Sequence, residues 1–248
     1  MVKPAQTQRV PQNIAAAIRR RFPDGIVDEF PTDESYFHAI HAKVERELRK
    51  IREASLLWQT ADDEEDGSLD GPDDGPPAEA WQSYHVFFLA PDGDDFHVLG
   101  ETEAIEEPAE AEEHAMSDGP GATSPGEEWT GYAVGISLVA RYAVINLGCY
   151  AQYEDGTVMT PDVESFIYSD TTGERVDAVQ YYQEILGPVA FETLTALGDR
   201  IASVLWKHGI RVLPESVLNL YVPGLTTGPE AFLEPPLRVR DTLFFRGI

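Results

Sequence analysis

Between Arg52 and Arg141 the chain has no lysine or arginine, and over its whole length it has four lysines and one cysteine. The lone Cys149 excludes an intrachain disulfide framework and suits a reducing compartment. No apolar run reaches the roughly 18 residues of a membrane-spanning helix. The opening segment MVKPAQTQRVPQNIAAAIRRRF lacks the sustained apolar core of a secretory leader, and its RRR follows the Ala-rich run instead of preceding it. We therefore expect a soluble, cytoplasmic protein. Phosphate-binding G-x-x-x-x-G-K-[ST] and G-x-G-x-x-G loops are missing, as are kinase signatures and a G-x-S-x-G elbow around Ser137. These absences point away from common enzyme classes, and no cofactor is implied.

What is present in excess is acid. Residues 1–52 hold ten bases and seven acids, 53–140 hold 23 acids and no base, and 141–248 hold eight bases and fourteen acids, giving the chain's −26. Like charges at that density repel one another and disfavour compactness unless a cation offsets them. A salt-adapted protein would be acidic throughout, yet outside 53–140 the net charge is −3. Local charge function is the better reading. With 42% hydrophobic and 10% aromatic residues, the rest suffices for a packed core.

The pattern predicts one α+β domain over 1–248: a largely antiparallel sheet packed by N- and C-terminal amphipathic helices, with long acidic loops. The part before residue 61 reads as helical. A helix over Asn13–Phe22 should stop at Pro23-Asp24-Gly25. A second begins at Thr32 or Asp33, with an apolar stripe of Tyr36, Phe37, Ile40, Val44, Leu48, Ile51 and Leu56. Residues 61–80 and 101–128 read as acidic, Gly/Pro-rich loops with little to bury, the latter with a weak helix over 107–116. YHVFFLAPDGDDFHVLG (84–100) reads as a hairpin turning at Pro91-Asp92-Gly93. From 129 a sheet-plus-helix core follows. It has two long strands around Ala140–Tyr142, a strand at 163–168 and a helix breaking at Gly187-Pro188. The helix over 189–208 ends at Gly209, and two late strands follow within 218–225 and 237–245.

Glu34, His38, His41 and Glu45 are spaced four, three and four apart, so on a helix they share one face, as a divalent metal's ligands would. The same spacing also gives solvated i,i+4 pairs, and no second helix offers matching ligands. Lys43, Arg46, Arg49, Lys50 and Arg52, with Arg19, Arg20 and Arg21, could form a phosphate patch. The neighbouring acidic stretch argues against nucleic acid, because it repels the same backbone. The Asp-rich runs 66–75 and 92–95 do not match a calcium-binding loop. Cys149 reads as a small buried hydrophobe, and His85 and His97 as packed residues flanking an aromatic run.

The charge distribution therefore leads to a non-enzymatic acidic binding protein with a basic protein partner, and no nucleic acid or membrane. In its concrete form this is an inhibitor or immunity protein against a nuclease-like toxin. Asp62, Asp63, Glu64, Glu65, Asp66, Glu106, Glu107, Glu110, Glu112 and Glu113 would steer the encounter, and Trp81, Tyr84 and Trp129 would hold the complex. A metal-dependent hydrolase built on Glu34, His38, His41 and Glu45 is the alternative, and a structural or assembly subunit the third.

Overall fold

Val, Ile, Ala and aromatic residues are frequent over Trp129–Tyr150, and the two longest strands among the described residues run through this segment. A computed structural model describes residues 9–27, 35–59, 84–99, 125–153, 158–159, 166–168, 175–228 and 235–244. In chain order the first elements are α1 (Gln12–Arg21), β1 (Ile26–Val27), α2 (Ser35–Leu48), β2 (Ala54–Gln59), β3 (Tyr84–Pro91) and β4 (His97–Leu99). The long strands β5 (Pro125–Ser137) and β6 (Tyr142–Tyr153) come next, then β7 (Val158–Met159), β8 (Phe166–Tyr168) and β9 (Arg175–Asp177). The chain continues with α3 (Ala178–Lys207), β10 (Arg211–Val212), α4 (Glu215–Leu218), β11 (Thr226–Thr227) and α5 (Val239–Leu243).

The protein is α+β, and its main sheet runs β10-β6-β5-β3-β2, with β4 also on β5 and β7 also on β6. Only the β10–β6 pairing in this sheet is parallel. Alternation sends successive side chains to opposite faces, and both faces are apolar, so helices cover both. On one face Phe87, Leu89, Val134, Ile136 and Ala143 pack with Val44 and Leu48 of α2 and Leu197, Ile201 and Leu205 of α3. On the other, Tyr84, Val86, Ala133, Tyr142 and Val144 pack with Ile14 and Ile18 of α1 and Val239 and Leu243 of α5. Full burial of each large aliphatic contributes about 1.5–3 kcal/mol.

Several expectations hold. The α1 helix forms where Ile14 and Ile18, four apart, give it a buried stripe. Gly187 takes φ 74° and ψ 172°, so α3 kinks at Gly187-Pro188, as the sequence implies. Others need correction. Leu56 is not on the second helix: α2 stops at Leu48, and Leu56 lies on β2 opposite Leu89. The helical and strand segments bury their leucines in one core, which makes the stripe look continuous. The sheet also starts well before residue 129, since β2, β3 and β4 belong to it.

The expected hairpin over 84–100 does not exist. Leu89 pairs with Tyr132 and His97 with Trp129, so β3 and β4 run in the same direction along β5. The Pro91-Asp92-Gly93 turn signal makes a detour through a 3-10 turn at Asp94–Phe96, whose Phe96 is buried. Nor does 237–245 form a strand. Val239 and Leu243, four apart, are buried on α5, and the Asp241 carboxylate accepts the Arg238 N–H at 2.7 Å, capping the helix start. In 218–225, Leu218 ends α4 and Tyr221 makes a single bridge to Arg238.

Candidate functional site

Several carboxylates of the described residues are matched locally. Glu45 pairs with Arg49 at 2.8 Å, and Glu53 faces Arg200 at 3.7 Å. Glu47 binds Lys50 at 2.6 Å and Lys207 at 2.9 Å, and these hydrogen bonds hold its carboxyl down at about 2. Glu215 pairs with Arg240.

The two acidic stretches join the scaffold at different places. The chain leaves the sheet at Gln59 and returns at Tyr84, at the end where Tyr84 pairs with Ser137. It leaves again after Leu99 and returns at Pro125, at the end where Leu99 pairs with Glu127. Ten residues of β5 separate these anchors, about 30 Å at the rise of an extended strand. The acid is therefore anchored at both ends of the sheet, not as one continuous belt.

At the Leu99–Pro125 end an aromatic surface forms. The ring of Trp129 stacks on His97, centroids 4.8 Å apart and planes 9° apart, and lies 5.5 Å from the ring of Tyr150. Phe88, Ala90 and Tyr150 are buried beneath, with Leu57 alongside. Beside this stack is a hollow of about 200 Å3 lined by Ser55, Leu57, Ala90, Asp92, Asp94, His97 and Trp129, among others, with no lysine or arginine among the described residues. The Ser55 hydroxyl donates to the Asp92 carboxylate at 2.8 Å, and the Asp92 N–H donates to the Glu53 carbonyl at 3.0 Å. Asp92 is thereby fixed at the rim. Glu127 lies two residues before Trp129, on the same face of β5.

Of the residues expected to engage a partner, Trp129 lies in this surface. Tyr84 is 5% exposed, and its ring meets Phe244 edge-on at 6.1 Å, so it serves the core. Asp62, Asp63, Glu64, Glu65, Asp66, Trp81, Glu106, Glu107, Glu110, Glu112 and Glu113 lie outside the described residues. The aspartate-rich run 66–75 and the weak helix over 107–116 do so too. Asp92, Asp94 and His97 were not foreseen as a group. The signal was the D-x-D-D-x-H run after a strand, obscured by its reading as a hairpin.

The metal reading fares differently at its two described side chains. His41 is 6% exposed and sits within the apolar stripe, three before Val44, with its ring 4.6 Å from that of His85 on β3. Glu45 points to Arg49. Glu34, and the side chain of His38, lie outside the described residues; among those described, no group of three metal-binding side chains occurs. The two basic groups also part company. α1, with Arg19, Arg20 and Arg21, packs on one face of the sheet and α2 on the other.

Cys149 accompanies Tyr182 and Glu128 at the start of α3, where burial above all pushes its thiol up to about 11. Such a thiol is a poor nucleophile. No helix among the described residues is long and apolar enough to cross a membrane. Comparison of the chain with protein-family models, with known proteins and with solved structures finds no match.

Proposed function

We propose that the protein is a non-enzymatic acidic binding protein that engages a basic protein partner. In concrete form it is an inhibitor of the immunity type, covering the cationic substrate cleft of a nuclease-like toxin. The observation that carries this reading is the separation of charge along the sequence: 23 acids and no base over 53–140, against a net of −3 over the rest of the chain. The hollow beside Trp129 supports it. A space of about 200 Å3, rimmed by Asp92 and Asp94 and floored by stacked rings, suits a lysine or arginine side chain. Carboxylates would speed association by steering, while the aromatic surface would set the lifetime of the complex.

The test is binding to the basic partner recovered from the native host at low salt. Replacing Asp92, Asp94 and Glu127 by their amides should slow association by about tenfold, with a weaker salt dependence. Trp129→Ala should instead speed dissociation. If deleting 61–80 and 104–124, which spares β5, leaves partner binding unchanged at both low and moderate salt, the reading is wrong.

A further inference from the structure

The turn that leads into β2 is tied to the turn that leaves β3. Glu53 stands at φ 63°, in the left-handed region that side chains disfavour, and its carbonyl accepts the Asp92 N–H at 3.0 Å. Ala54 pairs with Pro91, and the Ser55 hydroxyl holds the Asp92 carboxylate. Together these residues make a ridge at this end of the sheet. Alternation along β2 sends Leu57 to the face that carries Trp129, and Ala54 and Leu56 to the face where Leu197 of α3 packs. Pro91 lines a hollow on each side of the ridge, the one beside Trp129 and a second against α3.

The second hollow measures about 270 Å3. Its helical side is one stripe of α3, where Val189, Glu192, Ala196 and Arg200 recur at three- and four-residue steps beyond the Gly187-Pro188 kink. Leu197 is buried and forms the floor, while Val189 is 78% exposed at the rim. The Arg200 guanidinium faces the Glu53 carboxylate at 3.7 Å and donates to the Arg52 carbonyl at 3.0 Å. Among the described residues, Glu53 and Glu192 set two carboxylates against this one cation, and Asp92 and Asp94 rim the other hollow. The sequence has no lysine or arginine from Glu53 to Ala140, so the stretches that follow β2 and β4 bring no base to offset them.

Both hollows therefore combine an apolar floor with a carboxylate rim. A lysine or arginine side chain matches that combination, its methylene stem lying on the floor and its charged head reaching the rim. Each volume falls below the roughly 300 Å3 at which small-ligand sites begin, so a side chain fits better than a free metabolite. An acidic or phosphorylated partner would meet its own sign at both rims. A purely apolar side chain would desolvate the carboxylates without pairing them.

We propose that the two hollows form one seat, in which a segment of a basic protein partner straddles Pro91 and places a lysine or arginine side chain on each side of it. The seat rests on the reading of the Trp129 hollow as a basic side chain's site, and it adds the α3 hollow to that interface. The test is an NMR titration of the full, nitrogen-15-labelled chain with capped peptides of two arginines separated by one, three or five glycines. Control peptides carry glutamine or leucine in place of one arginine. The best two-arginine peptide should shift amides on both sides of Pro91, at Thr193 and Ala196 and at Asp94 and His97. It should bind at least about tenfold more tightly than its glutamine control. Glu192→Gln and Asp94→Asn should each weaken it about threefold, with the rest of the unliganded spectrum unchanged. Shifts confined to the Trp129 side would overturn the seat and leave the cation reading of the Trp129 hollow standing. Tighter binding of the leucine control would give the α3 hollow to an apolar side chain and equally overturn it. No saturable binding by any two-arginine peptide would overturn the seat as well, whereas the acidic stretches are judged separately by their deletion.

Discussion

The hydroxyl of Tyr132, on β5, lies 2.8 Å from the point where a Cβ on Gly198 would stand, and its Cζ 2.9 Å from the same point. The glycine is what lets α3 settle over that phenol, whose pKa burial raises to about 12, with Asp199 adding to the effect. Two opposed effects act on Gly198→Ala. Helix propensity favours alanine by about 1 kcal/mol. The clash, with the tyrosine ring already packed, costs about 1–3 kcal/mol. We expect net destabilisation, and expect Tyr132→Leu in the same chain to remove most of it. Urea unfolding of the two single variants and the double decides the matter; a more stable Gly198→Ala protein would show that the ring yields freely.

Trp129 bridges His97 and Tyr150 and is half-buried. Removing its ring deletes both ring contacts and opens space over Phe88. Trp129→Ala should cost about 2–3 kcal/mol, less than a fully buried tryptophan would. Trp129→Phe should retain most of the stability. Chemical denaturation measures both, and similar losses in the two would show that ring area is not what matters.

Glu47 joins α2 to α3 through Lys207 as well as pairing with Lys50. Its folded pKa, about 2, lies below the ordinary value of 4.5 because Lys50 and Lys207 hold the carboxylate by hydrogen bonds. The stability this contributes is complete above the unfolded pKa and disappears as pH falls through the folded one. The parent protein should therefore lose stability from about pH 4.5 down to 2, and Glu47→Gln should show a shallower decline. The carboxylate is solvent-accessible, so the difference should shrink in high salt. Melting midpoints against pH at two salt concentrations provide the measurement.

Cys149 should alkylate slowly while the protein is folded. With its thiol raised from 9 to about 11, chiefly by burial, the thiolate fraction near pH 8 falls about 100-fold below that of the unfolded chain. Iodoacetamide labelling followed by mass spectrometry should show rapid modification only in denaturant. Equal rates in the two states would place the thiol at the surface.

Local signals were legible wherever one element settles its own needs. Ile14 and Ile18 mark α1, Leu194, Leu197, Ile201 and Leu205 mark α3, and Gly187-Pro188 marks its kink, because periodicity and backbone preference act within a few residues. Leu56 shows where that stops. Its spacing fits the stripe of α2, but pairing with Leu89 gives it a strand. The turn at Pro91-Asp92-Gly93 shows the same limit, since β5 offers β4 an open edge beyond Leu89 and the chain takes it. His41 appears to the eye as part of a polar face. Its burial against His85 follows from where β3 lies.

By itself, the sequence determined the excess of acid, its concentration in the base-free stretch 53–140, and the amphipathic elements of an α+β protein. Charge and periodicity are properties of residue order, so they survive any arrangement in space. Only the tertiary structure decided that the acidic stretches are anchored about 30 Å apart, and that Arg20, Arg21, Arg141 and Arg211 share a cleft. Those facts depend on strand pairing between residues as far apart as Tyr142 and Arg211, and no local pattern encodes which edge a strand will choose.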